Sequence, residues 1–226
     1  MPFDPFGDHA TRGYLQNFAG ETDPERLRRL EYRAFSASLP AALEHLKALK
    51  VVDYAAVLDT HRTLFGSVYP WAGEDRLATA PTIAIAKGGI SDMFAHPCDI
   101  ERAATYALGI ARDAAKMLAR PGEVFGLLAH AHPFLEGNGR CLMTVHADLT
   151  RRAGFHIDWH AIGKPSFLTA LTEELRQPGQ AMDRLLAPHI RPGALPIERA
   201  REDLAKNPGL NTRPSPGPAS SPGPGM

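Results

Sequence analysis

The residues with the clearest chemical potential lie in segment 132–140, which reads HPFLEGNGR. Gly137 and Gly139 flank Asn138, so the backbone can turn successive N–H groups inward and form an anion-binding nest. Arg140 adds a permanent positive charge whose fork geometry suits phosphate oxygens. A helix is predicted to start at this point, so its N-terminal N–H groups would face the same anion. The segment therefore predicts a phosphate-binding site.

Two titratable side chains in the same segment could act on a bound phosphate. Glu136 predicts a bound Mg2+, since this ion favours one or two carboxylates together with phosphate oxygens and water. His132 has a side chain that ordinarily titrates near neutrality, so it could accept the proton of an attacking hydroxyl group. Phe134 is predicted to anchor the loop in the core. Each feature alone is common in turns and cores, but their coincidence indicates phosphoryl or nucleotidyl transfer.

Helices are predicted on both sides of this loop. Residues 123–131, EVFGLLAHA, are apolar almost all round, which predicts a central buried helix before the loop. After the loop, Leu142, Val145 and Leu149 recur at helical spacing, and Gly154 follows as a stop signal. The loop is therefore predicted to join two core helices.

The rest of the chain is also predicted to be mainly helical, from apolar residues at helical spacing between capping and breaking residues. A helix is expected to begin at Asp23, and others to cover residues 41–50, 54–65, 99–120, 166–176 and 181–186. Around Ile83 and Ile85 the periodicity changes to two before the turn signal Gly88-Gly89. This segment predicts a β-hairpin or extended flap, and it is the only β structure that we expect. The fold class is therefore all-α with a short β-hairpin flap.

Length and composition fit one globular domain. The chain has 226 residues, of which 44% are hydrophobic and 22% charged, enough to bury a core. We expect an N-terminal arm over residues 1–22, a domain over 23–207 with its core at about 50–160, and a disordered Pro/Gly/Ser tail over 208–226.

The charge balance argues against two classes of partner, and the cysteine content bears on where the protein is located. The 25 basic and 25 acidic residues balance, so no attraction to nucleic acid or to an anionic membrane is expected. Arg26, Arg28 and Arg29 lie among Glu25 and Glu31, and we interpret this whole group as a solvated helix face. Two cysteines are too few for a disulfide framework, and neither a signal peptide nor a membrane span is evident. We therefore expect a cytoplasmic protein.

Three segments of the sequence resemble the Fic-domain family. HPFLEGNGR is similar to its signature, His-x-Phe-x-(Asp or Glu)-Gly-Asn-Gly-Arg-x-x-Arg. Residues 61–76, HRTLFGSVYPWAGEDR, resemble a second family stretch, and residues 85–97, IAKGGISDMFAHP, resemble the family's flap. The resemblance covers roughly residues 50–160.

The resemblance implies a Fic-type helical bundle and transfer of AMP from ATP, with Mg2+, to a Ser, Thr or Tyr hydroxyl of a target protein. By position, His132 would be the general base and Glu136 the Mg2+ ligand. The phosphate site would comprise Gly137, Asn138, Gly139 and Arg140. The flap would hold the target as an added strand, through Ile83, Ala84, Ile85, Lys87, Gly88 and Gly89. A small antitoxin-like inhibitor would be a second protein partner.

One position departs from the family pattern, because Met143 stands where the signature has its final arginine. In relatives that arginine contacts the outer phosphate of ATP and pairs with an inhibitory glutamate. The family carries this glutamate in a motif that reads Ser or Thr, three residues, Glu, then Gly or Asn. No good copy of the motif is found here: Thr169 and Glu173 have its spacing, but Glu174 follows where Gly or Asn is expected. Two alternatives stay open for this reason: a transferase that uses another nucleotide or phosphate-containing donor, and a weakly active binding module.

A zinc hydrolase is a further alternative, because the sequence contains His130-x-His132 and His156-x-x-x-His160. It is disfavoured, since residues two apart on a helix point to different sides and the second pair lacks a neighbouring glutamate. His61 and Trp71 are interpreted as core residues that pack or cap, not as catalytic groups.

Overall fold

The computed structural model describes residues 14–82 and 93–206. The six residues predicted to form the target-binding flap lie outside the described residues, as do the tail over 208–226 and the first 13 residues of the predicted arm.

The described chain is mainly helical, as predicted. In chain order its helices are α1 (Pro24–Ala48), α2 (Tyr54–Phe65), α3 (Arg76–Thr79), α4 (Ile100–Ala111), α5 (Ala114–Ala119), α6 (Pro121–Ala131), α7 (Asn138–Arg152), α8 (Lys164–Arg176), α9 (Ala181–Leu186) and α10 (Ile197–Lys206).

Helices α6 and α7 lie at the centre of the core, on either side of the loop at 132–137. Helix α6 contacts α4, α7, α8 and α9, while α7 also contacts α1 and α2. Their buried side chains include Val124, Phe125, Leu128, Val145 and Leu149, each at most 3% exposed. The prediction that the loop joins two core helices is therefore confirmed.

Two predicted helix boundaries are wrong. Helix α1 continues through Pro40 into the segment that was predicted to be a separate helix over residues 41–50, because Leu39, Leu43 and Leu46 extend its buried face beyond the proline. The helix predicted over 99–120 is interrupted, because the side chain of Asp113 accepts the N–H groups of Ala115 and Lys116 and starts a new helix.

The expectation that the flap would be the only β structure is also wrong. Strands β1 (Phe155–Ile157) and β2 (Ile190–Pro192) form an antiparallel pair in which His156 lies opposite Arg191. Strands of three residues are too short to show an alternating pattern in the sequence. Helix α10 was not predicted either; it packs against α1 and buries Leu204.

Among the described residues, no helix combines the length and the apolar content that crossing a membrane would require.

Candidate active site

His132 lies where helix α6 ends and the loop begins. Its N–H donates to the carbonyl of Leu128, and its backbone is left-handed, with φ 43° and ψ 59°. It is the one residue other than glycine that has a positive φ in the described part of the chain. A left-handed conformation costs a non-glycine residue about 1–2 kcal/mol. The chain turns sharply at His132, and neighbouring contacts must hold it there.

The side chain of Asn138 ties the two ends of the loop together. Its Oδ1 accepts the N–H of Phe134 at 2.9 Å, and its Nδ2 donates to the carbonyl of Phe134 at 2.6 Å. These two bonds fix the orientation of the amide. The same Nδ2 lies 3.2 Å from Nε2 of His132, so this ring nitrogen acts as an acceptor and carries no proton.

His61 supports the loop from the core. Its Nε2 donates to the carbonyl of Glu136 at 3.0 Å, its Nδ1 accepts the N–H of Gly73 at 3.0 Å, and its ring stacks on Phe134 with centroids 3.7 Å apart. Burial lowers the pKa of His61 to about 3, so the ring stays neutral near pH 7. The interpretation of His61 as a satisfied core residue is confirmed, as is the burial of Phe134.

Trp71 also behaves as a core residue, as interpreted from the sequence. It is 1% exposed, its Nε1 donates to the carbonyl of Gln16 at 3.3 Å, and its ring stacks on Tyr69. The described end of the N-terminal arm is thereby packed against the domain.

Gly137 makes the turn into helix α7 possible. Its φ is +79°, and a Cβ added there would lie 2.7 Å from the ring of Phe65. Helix α7 begins at the next residue, Asn138, so the first N–H groups of a 15-residue helix point toward the loop. Gly139 is exposed at this end of the helix. The predicted nest residues are therefore adjacent to His132.

Glu136 lies at the solvent-facing side of the loop. Its Oε1 accepts the N–H of Gly137 at 2.8 Å and is 3.6 Å from Nη2 of Arg140. Desolvation and, second, the nearby carboxylate of Glu31 raise its pKa, while the Gly137 N–H and Arg140 oppose the rise. Because 49% of the side chain is exposed, we expect water to limit this rise. An exposed carboxylate beside a helix N-terminus fits a hydrated Mg2+ that also binds phosphate.

Arg140 is held by Glu31, a residue predicted from the sequence to lie on a solvated face. That assignment is wrong: Glu31 is 6% exposed, its Oε2 accepts from Nη2 of Arg140 at 2.6 Å, and its Oε1 accepts from the hydroxyl of Tyr69. The guanidinium also lies over the ring of Phe65, 4.8 Å from its centroid. The sequence spacing could have indicated that Glu31 is buried, because it lies four residues after Leu27 and four before Phe35, on the buried face of α1.

The three residues at the end of the family signature, positions 141–143, are all in the core. Cys141 and Met143 are 0% exposed, and Leu142 is 2% exposed. Burial raises the pKa of the Cys141 thiol, so it stays protonated. Position 143 therefore supplies packing and no charge to the site.

The four histidines of the zinc alternative have other partners. The ring Nδ1 of His130 bonds the carbonyl of Met93, that of His156 bonds the carbonyl of Gly193, and Nε2 of His160 is 3.1 Å from Asp203. Within residues 14–82 and 93–206, no group of three or more His, Cys, Asp or Glu side chains could hold a metal ion.

Comparison with known proteins gives consistent matches. Residues 51–148 match the model of the Fic/DOC family. The chain is 34% identical over 194 residues to protein adenylyltransferase VbhT of Bartonella schoenbuchensis. This match covers 81% of the present chain but only 38% of VbhT. It is 31% identical over 166 residues to a Sinorhizobium fredii protein named probable protein adenylyltransferase y4lH, covering 70% of this chain and 81% of that protein.

The fold is similar to that of solved structures as well. The crystal structure of BepC from Bartonella tribocorum with bound AMPPNP matches with a TM-score of 0.63 and 24% identity, over 79% of this chain and 92% of the chain in that structure.

Proposed function

This chain belongs to the Fic/DOC family, and we propose that it transfers AMP from ATP to a hydroxyl side chain of a target protein. The observation that carries the proposal is the 3.2 Å contact between Nε2 of His132 and Nδ2 of Asn138. In this contact the amide of Asn138, the first residue of helix α7, can only donate and the imidazole nitrogen accepts. The contact supports the pairing of a proposed base with a proposed anion-binding helix end. The relatives VbhT and y4lH are named protein adenylyltransferase and probable protein adenylyltransferase, respectively.

In the proposed reaction, Nε2 of His132 accepts the proton of the target hydroxyl as its oxygen attacks the α-phosphorus of ATP. A new oxygen–phosphorus bond forms, the bond to the β-phosphate breaks, and pyrophosphate leaves. A general base of this kind is worth about 10²- to 10⁴-fold in rate. Asn138 Nδ2 donates to the ring nitrogen that takes the proton. When the target binds, this ring nitrogen exchanges its contact with Asn138 for one with the target hydroxyl.

The phosphates would bind at the N-terminus of helix α7. Gly137 and Gly139 allow a close approach to the backbone, and the helix dipole is positive at this end. The guanidinium of Arg140 lies in the first turn of the same helix and is 11% exposed. We propose these three residues and Asn138 as the phosphate site.

Glu136 would hold Mg2+ together with phosphate oxygens and water. The bound ion would neutralise the charge that develops on the phosphates. Replacement by Gln keeps the volume but removes the charge, so Glu136→Gln should raise the Mg2+ concentration needed for half-maximal transfer.

The target would be a protein that offers a Ser, Thr or Tyr hydroxyl. We propose that the flap residues 83–89 hold it by β-augmentation. An antitoxin-like inhibitor and a cytoplasmic location stay predictions from the sequence. With Met143 buried at the position of the second motif arginine, such an inhibitor would need a contact other than pairing with that arginine.

The test is incubation of the purified chain with Mg2+, a bacterial lysate and ATP labelled either at the α- or at the γ-phosphate. We expect protein labelling from α-labelled ATP only, and mass spectrometry should find one AMP adduct on a hydroxyl side chain. His132→Ala should abolish labelling but retain nucleotide binding, whereas His45→Ala, at an exposed position on α1, should label normally.

The alternatives give different results in the same assay. No label from ATP together with label from another nucleotide would refute the proposal and identify a different donor, which the uncharged position 143 would explain. A binding module would bind nucleotide with no transfer from either wild type or His132→Ala.

A further inference from the structure

Arg76 is a buried arginine whose partners are all main-chain carbonyl groups. It is 0% exposed, and its Nη1 is buried without a hydrogen-bond partner among residues 14–82 and 93–206. Burying a guanidinium is expensive unless it is well satisfied. The contacts of the other two nitrogens therefore identify what this residue does.

Arg76 binds three consecutive carbonyls at the end of helix α6. Its Nε donates to His132 at 2.7 Å, its Nη2 donates to Ala131 at 3.4 Å, and its own N–H donates to Pro133 at 2.7 Å. The last carbonyls of a helix have no partner within the helix, and a positive charge is favourable there. One residue thus satisfies the backbone on both sides of the left-handed His132.

A fourth contact connects Arg76 to the chain that covers the imidazole. Its Nη2 donates to the carbonyl of Ala95 at 2.8 Å. The preceding residue, Phe94, packs against the ring of His132, with centroids 4.1 Å apart and the ring planes tilted by 35°. The N–H of Ala95 also donates to the carbonyl of His130 at 2.8 Å. Arg76 therefore fixes the imidazole through its backbone and through the ring packed on it.

We propose that Arg76 is a positioning residue for AMP transfer: its guanidinium holds His132 in the left-handed conformation that presents Nε2 to the target hydroxyl. This rests on the proposed role of His132 as the base. Lysine cannot replace it, because one ammonium group cannot reproduce the planar fork that spans the carbonyls of His132 and Ala95.

The test is Arg76→Lys, with Arg152→Lys as a matched control. Arg152 also caps a helix C-terminus, since its Nη2 donates to the carbonyls of Leu46 and Leu49 at 2.7 and 2.8 Å at the end of α1. Both substitutions should lower the melting temperature. Only Arg76→Lys should reduce kcat, by about 10- to 100-fold, with the nucleotide Kd changed less than about twofold. In histidine-labelled protein, it alone should shift the His132 ring resonances.

Unchanged kcat and unchanged His132 resonances in Arg76→Lys would overturn the inference, provided that wild type is active and His132→Ala is not. If wild type itself transfers no AMP, the proposed function fails, while the His132 resonances still decide whether Arg76 positions that ring. If Arg76→Lys does not fold, the wild-type protein provides the measurement. Scalar coupling from Arg76 Nε to the His132 carbonyl carbon should be detectable, and its absence would overturn the inference.

Discussion

Nη2 of Arg140 donates to Oε2 of Glu31 at 2.6 Å, and both side chains are almost withdrawn from solvent, at 11% and 8% exposure. The contact joins helices α1 and α7, and the Tyr69 hydroxyl bonds the other carboxylate oxygen. Arg140, part of the proposed phosphate site, is therefore connected to the buried face of helix α1, which is far away in the sequence.

Glu31→Gln should destabilise the protein, because it leaves the Arg140 guanidinium without its buried counter-charge. We expect a loss of about 1–3 kcal/mol in the free energy of unfolding, measured in urea. Glu25→Gln is the control on the same helix: Glu25 pairs with Arg28, and both side chains are about half exposed, at 52% and 53%. It should cost about 0.5 kcal/mol or less. Equal losses in the two variants would contradict a structural role for the Glu31 pair.

Gly137→Ala should destabilise the loop for two separable reasons, the positive φ and the contact with Phe65. Gly154→Ala isolates the first, because Gly154 has a φ of +86° but an added Cβ meets nothing within 4 Å. We expect about 1–2 kcal/mol from the backbone at either site, and at least about 1 kcal/mol more at Gly137 from the collision with the ring. Urea unfolding measures both losses. Only Gly137→Ala should also weaken nucleotide binding, and similar binding by the two variants would count against the proposed phosphate site.

The candidate site could be predicted from the sequence because its residues are local. The proposed base, the carboxylate, the glycines and the arginine lie within residues 132–140, and glycine and apolar spacing suffice to place them between two helices. The residues that hold them could not be found in the same way. Arg76 contacts His132 across 56 positions of the chain and Glu31 contacts Arg140 across 109, so these pairs exist only once the helices have packed.

The errors in the fold have similar causes. Pro40 normally argues for a break, but burial of residues on both sides of it keeps helix α1 continuous. The strands β1 and β2 have three residues each and are far apart in sequence, so neither local propensity nor periodicity predicts them. Tertiary packing decides in both cases.

The stability of the protein should fall as the pH drops below about 6.5, and buried His146 should account for part of the loss. Its Nε2 donates to the carbonyl of Pro121 at 2.8 Å, and burial lowers its pKa to about 4. The unfolded chain binds a proton at about pH 6.5 and the folded chain does not, so protonation favours unfolding throughout this window. Above pH 6.5 the contribution is fully present, and it is lost as the pH falls toward 4.

Comparison of wild type with His146→Gln isolates this effect. We expect the difference in unfolding free energy between pH 7.5 and pH 5 to be smaller in the variant by about 2 kcal/mol. His61, whose pKa is lowered to about 3, should leave a residual slope of the same sign. His45→Gln, at an exposed histidine, should behave like wild type. A variant slope equal to that of wild type would show that His146 does not contribute.

Asn138→Asp should move the pH dependence of AMP transfer upward. A carboxylate beside Nε2 of His132 favours the protonated imidazole, so the unprotonated base would appear only at higher pH. We expect the acidic limb of the kcat profile to rise by about one pH unit or more, with reduced transfer at pH 7.

The control is Asn17→Asp, since Asn17 is equally buried and also bridges backbone groups. It bonds the carbonyls of Leu15 and Glu21 and the N–H of Glu21, and it is 7% exposed, as is Asn138. Both variants lose an amide donor to a backbone carbonyl, so both should be less stable than wild type. Only Asn138→Asp should shift the profile, because only this side chain contacts the proposed base. Parallel shifts in the two variants, or no shift in either, would show that Asn138 does not influence the proposed base. Such a result would contradict the contact on which the proposed function rests.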